Sequence, residues 1–375
     1  MLKGVNLTLL MGPVVPVPVP REVLEALETV QVTTSAGEAS GFQLAFTISS
    51  KSMLNTLLLL LPRIGPVVRV IVVVTMGGRP NVLMDGVITN QQISPNVEAG
   101  KSTVTLTGSD LTAVMDKIEL TGIPYPAMPD FARVALILAK YAAFGIIPLV
   151  IPSIFTELQN PLEGFYRHKG TDLGYIKMLA QEVGYVFYID PGPVPGANKA
   201  YWGPEIKVGV PQPALNINMD AHNNLESLNF SYNGESRTLP IVYIHNKETK
   251  VPIPIPIPSD ISPLNPPLGA IPPFPSKLEF MKETAKLSPL RAIGMGLAVA
   301  GRSSDAVTGS GKLDVLRYGR ILKARQLVGV RGAGQAFDGL YFVKSVTHEI
   351  KRNEYKQSFS LTRNGLVSIT PRVPA

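Results

Sequence analysis

The sequence predicts a β-rich α+β protein, with two strand-rich regions on either side of a mixed α/β region. Three observations lead there. Apolar and polar residues alternate in "STVTLTG" (102–108) and in "YKQSFSLTR" (355–363), the period of a half-buried strand. Between these stretches, Leu173, Ile176, Leu179 and Val183 form one helical stripe. Charged residues make up only 17% of the chain, against about 25% in an average soluble domain. A chain this apolar has surface to bury against partners.

The first region covers 1–117. "GFQLAFTIS" (41–49) reads as a strand. "PVVRVIVVVT" (66–75) is a β-branched run, closed by the turn residues Gly77, Gly78, Arg79, Pro80 and Asn81. "NVLMDGVITNQQIS" continues as strand, and the next strand places Val104 and Leu106 on one face. A short helix follows in "SDLTAVMDKIEL", which Ser109 or Asp110 can cap.

The middle region covers 118–220. Its first helix starts at Pro129 and Asp130, ends near Phe144–Gly145, and is followed by an extended apolar segment. Its second helix spans 171–184, with Thr171 or Asp172 as N-cap and Gly184 as the stop. A strand over 185–190 and a loop come next. The loop holds the only tryptophan, Trp202, either a packing residue or a partner contact.

The third region, 221–375, opens with the strands "LESLNFSYN" and "PIVYIHNKE". In "VPIPIPIPSDISPLNPPLGAIPPFP" (251–275), proline falls at nearly every other position. That excludes a helix or a central strand and predicts polyproline II. This arm is either a solvated linker or an arm lying on a neighbouring subunit. A helix over 288–302 follows, and then a closing hairpin. If "KRNE" makes the hairpin turn, Glu349 falls opposite Lys356 as a cross-strand charge pair. His348 then falls opposite Gln357, on the face of Phe342, Val346 and Phe359.

The absence of cysteine excludes disulfides, thiolate metal sites and cysteine nucleophiles. The net charge of +7 is spread along the chain, with no basic block to bind nucleic acid specifically. The N-terminus lacks a small-residue cleavage site and is broken by Pro13, Pro16, Pro18 and Pro20, so no signal peptide is expected. The most membrane-like stretch, 132–155, carries Lys140 at its middle and is interrupted by Pro148 and Pro152. A direct membrane span is therefore not expected.

His348–Glu349 is the only stretch that hints at a metalloenzyme. H-E-x-x-H needs a helix and a histidine at 352, where Arg352 stands. Strand periodicity sends His348 and Glu349 to opposite faces. His168, His222 and His245 have no second ligand at a useful spacing. A phosphate loop ending at "GKL" would need Gly at 306 and Ser or Thr at 313, where Ala306 and Leu313 stand. "GMGLAVAG" and "GVRGAG" miss the dinucleotide spacing, "SSKS" (49–52) is not S-x-x-K, and Ser40 is not in G-x-S-x-G. No catalytic residue, cofactor or metal is expected.

Three separated segments carry a resemblance. "FYRHKGTDLGYIKMLAQEVGYVFYID", "KSTVTLTGSDLTAVMDKIEL" and "FDGLYFVKSVTHEIKRNEYKQSFSLTRNGL" together resemble phage late control D proteins and the hub part of VgrG-type spikes. The matching positions are Thr171, Asp172, Leu179, Ala180, Glu182 and Gly184 in the first. In the last they are Asp338, Gly339, Tyr341, Val343, Val346, His348, Tyr355, Phe359, Leu361 and Arg363. The resemblance implies two tube-like antiparallel β-barrel domains about the mixed domain. It implies a homotrimeric, non-catalytic baseplate hub of a contractile injection system. Three subunits would present a pseudo-sixfold ring that joins the sixfold tail tube protein to a threefold spike. The family's fused spike domains are not recognisable here, so a separate spike protein is expected, beside other baseplate proteins. Assembly in the cytoplasm into a phage-tail-like particle is implied. Rival readings are a tail-associated cell-wall hydrolase, which needs a carboxylate pair, and a protein held at a membrane through 132–155.

Overall fold

Alternating stretches become strands in the computed structural model, which describes residues 4–49, 67–96, 101–155, 166–245, 251–258, 265–370 and 373. The first region supplies β1 (Val5–Gly12), β2 (Val17–Pro18), β3 (Leu27–Ser35), β4 (Gly41–Ser49), β5 (Arg69–Met76), β6 (Arg79–Asn96) and β7 (Lys101–Asp110). The middle holds β8 (Pro124–Tyr125), β9 (Ile146–Val150), β10 (Tyr166–Arg167), β11 (Tyr185–Pro191) and β12 (Asn198–Pro204). Then come β13 (Gln212–Asn216), β14 (Leu225–Tyr232), β15 (Thr238–His245), β16 (Pro252–Pro256), β17 (Gly269–Ile271) and β18 (Lys277–Met281). The chain closes with β19 (Val307–Asp314), β20 (Leu327–Arg331), β21 (Gly339–Lys351), β22 (Glu354–Arg363) and β23 (Leu366–Ser368).

Both strand-rich regions feed one 13-stranded sheet, in the order β14-β19-β22-β21-β3-β4-β7-β6-β5-β1-β2, with β13 and β20 attached through β21. The fold is β-rich α+β. Two barrels were expected, but among the described residues no path of strands closes on itself. The reason lies at β3. Its outer edge is not folded back on its own half; it pairs antiparallel with β21, from Ser35↔Ser345 to Thr29↔Lys351. An unpaired edge is a liability, and here each half covers the other's. One hydrophobic core accordingly draws on both regions, with Val32, Leu44 and Val72 beside Val343, Val346 and Leu361. Val70 to Val74 of β5 are buried at every position, as a continuous β-branched run requires.

The middle region has its own core, around Val134, Ile137, Ile176, Leu179 and Trp202. Trp202 is fully buried, with Tyr185 edge-on at 4.8 Å, so it is a packing residue. The first middle helix covers Asp130–Ala139, a 3-10 turn follows at Ala142–Phe144, and β9 begins just after Gly145. No helix among the described residues is long and apolar enough to cross a membrane.

The closing hairpin has the register His348↔Gln357 and Glu349↔Lys356. Two details differ from expectation. The register shifts between Val343 and Ser345, a bulge at Lys344. A one-residue slip reverses the faces, so Phe342 points away from the side of His348, Val346 and Phe359. Glu349 faces Lys356, but its ion pairs are with Lys351 (2.6 Å) and Lys312 (3.7 Å), while Lys356 pairs with Glu226 and Glu354 (both 2.9 Å).

The proline arm also departs from expectation. Residues 252–256 form an edge strand on β15 of the same chain, not polyproline II. The reason is the period. In an antiparallel ladder the N–H of every second residue faces the partner strand. Ile257 donates to the Pro240 carbonyl at 2.9 Å, so Ile255 and Ile253 donate on the same side. Pro252, Pro254 and Pro256, which have no N–H, face the free edge, where a strand tolerates them. Further on, β17 ties the arm to β23; residues 259–264 lie outside the described residues.

This parity makes the arm's two residue types unequal. Ile255→Pro deletes a ladder donor and is expected to cost about 1–3 kcal/mol. Pro254→Ala is expected to stay within about 0.5 kcal/mol. Chemical denaturation, with amide hydrogen exchange read at Val242, distinguishes the two; equal effects would mean the strand is not paired this way.

Candidate functional site

The residues shared with the hub pattern fall into two groups, one in each large core. The first surrounds the helix Asp172–Glu182. Thr171 is its N-cap: its Oγ1 accepts from the Gly174 N–H at 3.1 Å and donates to Asp116 at 2.6 Å. Asp172 is buried and holds Lys140 at 2.6 Å and the Tyr141 hydroxyl at 2.7 Å, with His168 at 3.5 Å. Burial pushes the His168 imidazole below its ordinary range, against the pull of Asp172. Leu179 and Ala180 are core residues. Gly184 has φ +73°, and an added Cβ would meet Ala298 at 3.2 Å, where the helix Pro289–Arg302 crosses. Only glycine combines that backbone with that approach.

The second group builds the closing hairpin. Arg363 is 1% exposed, yet among the described residues it has no carboxylate ion pair; its guanidinium donates to the carbonyls of Gly365 (2.8 Å), Asp338 (2.9 Å) and Ala336 (2.7 Å). It lies 4.4 Å from the Tyr341 ring centre, a cation–π contact. Burial lowers the Arg363 pKa from its ordinary value. Tyr341 donates to the Phe337 carbonyl at 2.7 Å. Asp338 accepts from the Ala333 N–H at 2.8 Å. Gly339 has φ +120°, with Ser368 2.1 Å from where a Cβ would sit. Val343, Val346, Phe359 and Leu361 are buried in the shared core. His348 Nδ1 lies 2.8 Å from the Tyr355 hydroxyl, and both rings are buried. Desolvation pushes the His348 pKa down to about 3, so the imidazole is neutral at pH 7. Both groups are packing and hydrogen-bonding apparatus, and among the described residues no cluster of His, Asp and Glu is arranged to hold a metal.

Three ionic clamps that the sequence reading passed over join the regions. Arg69 grips Asp85 with two bonds of 2.7 Å, and reaches the carbonyls of Val14 and Phe144, each at 2.7 Å. Asn198 completes this clamp by donating to Asp85 at 2.8 Å. Arg325 bonds Asp190 of the middle region and the Ser35 carbonyl of the first (2.6 Å), stacked 4.0 Å over Tyr188. Asp130 accepts from Arg133 and from Arg291 (3.3 Å), and Glu182 takes Arg291 at 3.0 Å. A signal was present in the sequence: a lone charge within an apolar run, as in "VVRVIVVV" and "FARVALIL". A charge so placed must find a partner or remain exposed.

Breaking a buried pair leaves the other charge stranded. Arg69→Met is expected to cost about 3–5 kcal/mol in chemical denaturation, and Arg69→Met with Asp85→Leu to recover much of it. The unfolded chain binds a proton at His348 below pH 6.5, and the folded chain does so only near 3. This contribution is therefore intact above pH 6.5 and is lost on acidification, by about 1.4 kcal/mol per pH unit. Relative to His348→Gln, the wild type should lose ground steadily between pH 6.5 and 4; parallel curves would mean His348 is not held neutral.

The fold itself has known counterparts. No family model matches the sequence, and none of the curated proteins matches it. Among solved structures, the chain superposes on a tail protein from Neisseria meningitidis with a TM-score of 0.64, 12% identity, and 97% and 98% of the two chains covered. A 43 kDa tail protein of prophage MuSo2 from Shewanella oneidensis gives 0.63, 14% identity, and 96% and 98% coverage. A component of the Escherichia coli type VI secretion system, itself described as similar to the T4 tail proteins gp27 and gp5, gives 0.53, 12% identity, and 93% and 75% coverage. This chain has the fold shared by phage tail proteins and VgrG-like proteins of type VI secretion.

Proposed function

We propose that the chain is the structural hub of the baseplate of a contractile injection machine. In this reading it is a non-catalytic homotrimer that continues the tail tube on one side and seats a separate spike protein on the other, among other baseplate proteins. The observation that carries the reading is the β3–β21 seam, which sets two strand-rich halves side by side in one sheet. Three such chains hold six halves, which suits a join between sixfold and threefold partners. The finer reading is that each half is a tube-like β domain. Assembly precedes incorporation into a particle, in the cytoplasm.

Two further observations support a structural role. The shared positions 171–184 and 338–363 are occupied by caps, core residues and a carbonyl-bound arginine, groups that set shape. The three clamps hold the two halves and the middle region in fixed relation, and a ring needs subunits of fixed shape. Native mass spectrometry of the purified protein is expected to show three copies at micromolar concentration. A stable monomer at that concentration would overturn the reading.

A further inference from the structure

Residues 205–211 join β12 to β13, and among the described residues none of their backbone N–H or carbonyl groups is hydrogen-bonded to another stretch of chain. Lys207 turns inward, to Asp305 at 3.1 Å and Glu205 at 3.4 Å. Its neighbours Ile206 and Val208 are 39% and 43% exposed, the alternation of an extended segment. Both line a hollow of about 410 Å³, together with Tyr188, Tyr201, Leu327 and Phe342. Ligand sites of this size combine apolar walls with a few polar groups. The charged groups of the wall are matched within the chain, Arg325 by Asp190 and Glu205 by Lys207. An apolar side chain entering the hollow therefore leaves no charge unpaired.

Beside the hollow stands a basic loop. Arg317, Arg320 and Lys323 are exposed, and among the described residues none of the three has an ion pair. The loop is held in place along its length. Asp314 accepts from the Leu316 and Arg317 N–H groups at 2.8 and 3.1 Å. The Tyr318 hydroxyl donates to the Pro213 carbonyl at 2.7 Å. The Leu322 backbone donates to and accepts from the Gln357 side chain, and the Lys323 backbone does the same with Gln212. The last pair ties the cations to the hollow. Val210 lies just before Gln212, Arg325 just after Lys323, and both line the hollow. Cations on a fixed frame, without partners of their own, complement an acidic segment.

We infer that the hollow and this loop form one docking site for an extended peptide of a partner protein. Its apolar side chains enter the hollow, its backbone lies along 205–208, and acidic residues beside them meet Lys323, Arg320 and Arg317. An open stretch of backbone beside side-chain pockets is a recurring way to capture a peptide. A nucleic acid suits the site less. Its bases need exposed rings to stack on, and Tyr318, the one ring of the loop, is 8% exposed and bonded to Pro213. The site lies within a single chain, so it goes beyond the hub reading and does not rest on it.

Selection from a random decapeptide library on the immobilised chain tests the site. Enriched peptides should carry a large apolar residue within a few positions of two or more Asp or Glu. Val208→Trp fills the hollow from an exposed position and should weaken the best peptide at least about tenfold. Arg320→Glu with Lys323→Glu should do the same, and the milder Arg317→Gln with Lys323→Gln should act in the same direction. The variants should keep the wild-type thermal midpoint. Raising salt from about 0.05 M to about 0.5 M should weaken binding to the wild type. No enrichment, enrichment of basic peptides, or peptides that bind every variant as they bind the wild type would each overturn the docking site and leave the hub reading standing. So would a labelled single-stranded DNA of about 20 nucleotides that binds more tightly than the best peptide and is lost in Arg320→Glu with Lys323→Glu.

Discussion

Strands β3 and β21 come from opposite ends of the chain, and their pairing is what makes this molecule one body. The contact between Thr33 and Thr347, hydroxyl to hydroxyl at 3.0 Å, spans 314 residues of sequence. Closing so long a loop is costly in entropy, and no local signal enforces it. What offsets that cost is burial. The seam sets Val30 beside Ile350 and Val32 beside His348, and all four are buried. His348 belongs to this seam, neutral and hydrogen-bonded to Tyr355.

The clamps tie the other elements to this frame. The one at Arg291 joins three helices, those that carry Asp130, Glu182 and Arg291 itself. Arg325 leaves the third region, meets Asp190 of the middle and the Ser35 carbonyl at the end of β3. Arg69 and Asp85 sit on neighbouring strands and reach Phe144 and Asn198 of the middle region. Such pairs add little net stability over apolar residues of the same size. Their use is geometric, since a guanidinium with several partners admits one arrangement. For the proposed hub, such a fixed arrangement matters more than extra stability.

The proline arm obeys the same economy of backbone groups. Its prolines silence one edge of β16 and leave the other able to pair. Among the described residues, the helix Pro289–Arg302 covers one side of the small sheet that the arm creates.

Local chemistry was legible in the sequence by itself. Alternation located β7, β21 and β22, and the turn in "KRNE" set the register His348↔Gln357, because side-chain period and turn length are local properties. The Thr171 cap and the Gly184 stop were legible for the same reason. Ionic clamps were only half legible: Arg69 and Arg133 announced themselves within apolar runs, but Asp85 and Arg291 as partners did not, because pairing is decided in space. The bulge at Lys344, which turned Phe342 to the opposite face, left no mark in the pattern. Tertiary structure alone decided that two strand-rich regions would share one sheet, because the free edge of β3 found its partner far away in sequence; it also decided that the arm would pair with the neighbouring β15, because only a partner strand with acceptors facing the isoleucine N–H groups makes a ladder of so proline-rich a stretch.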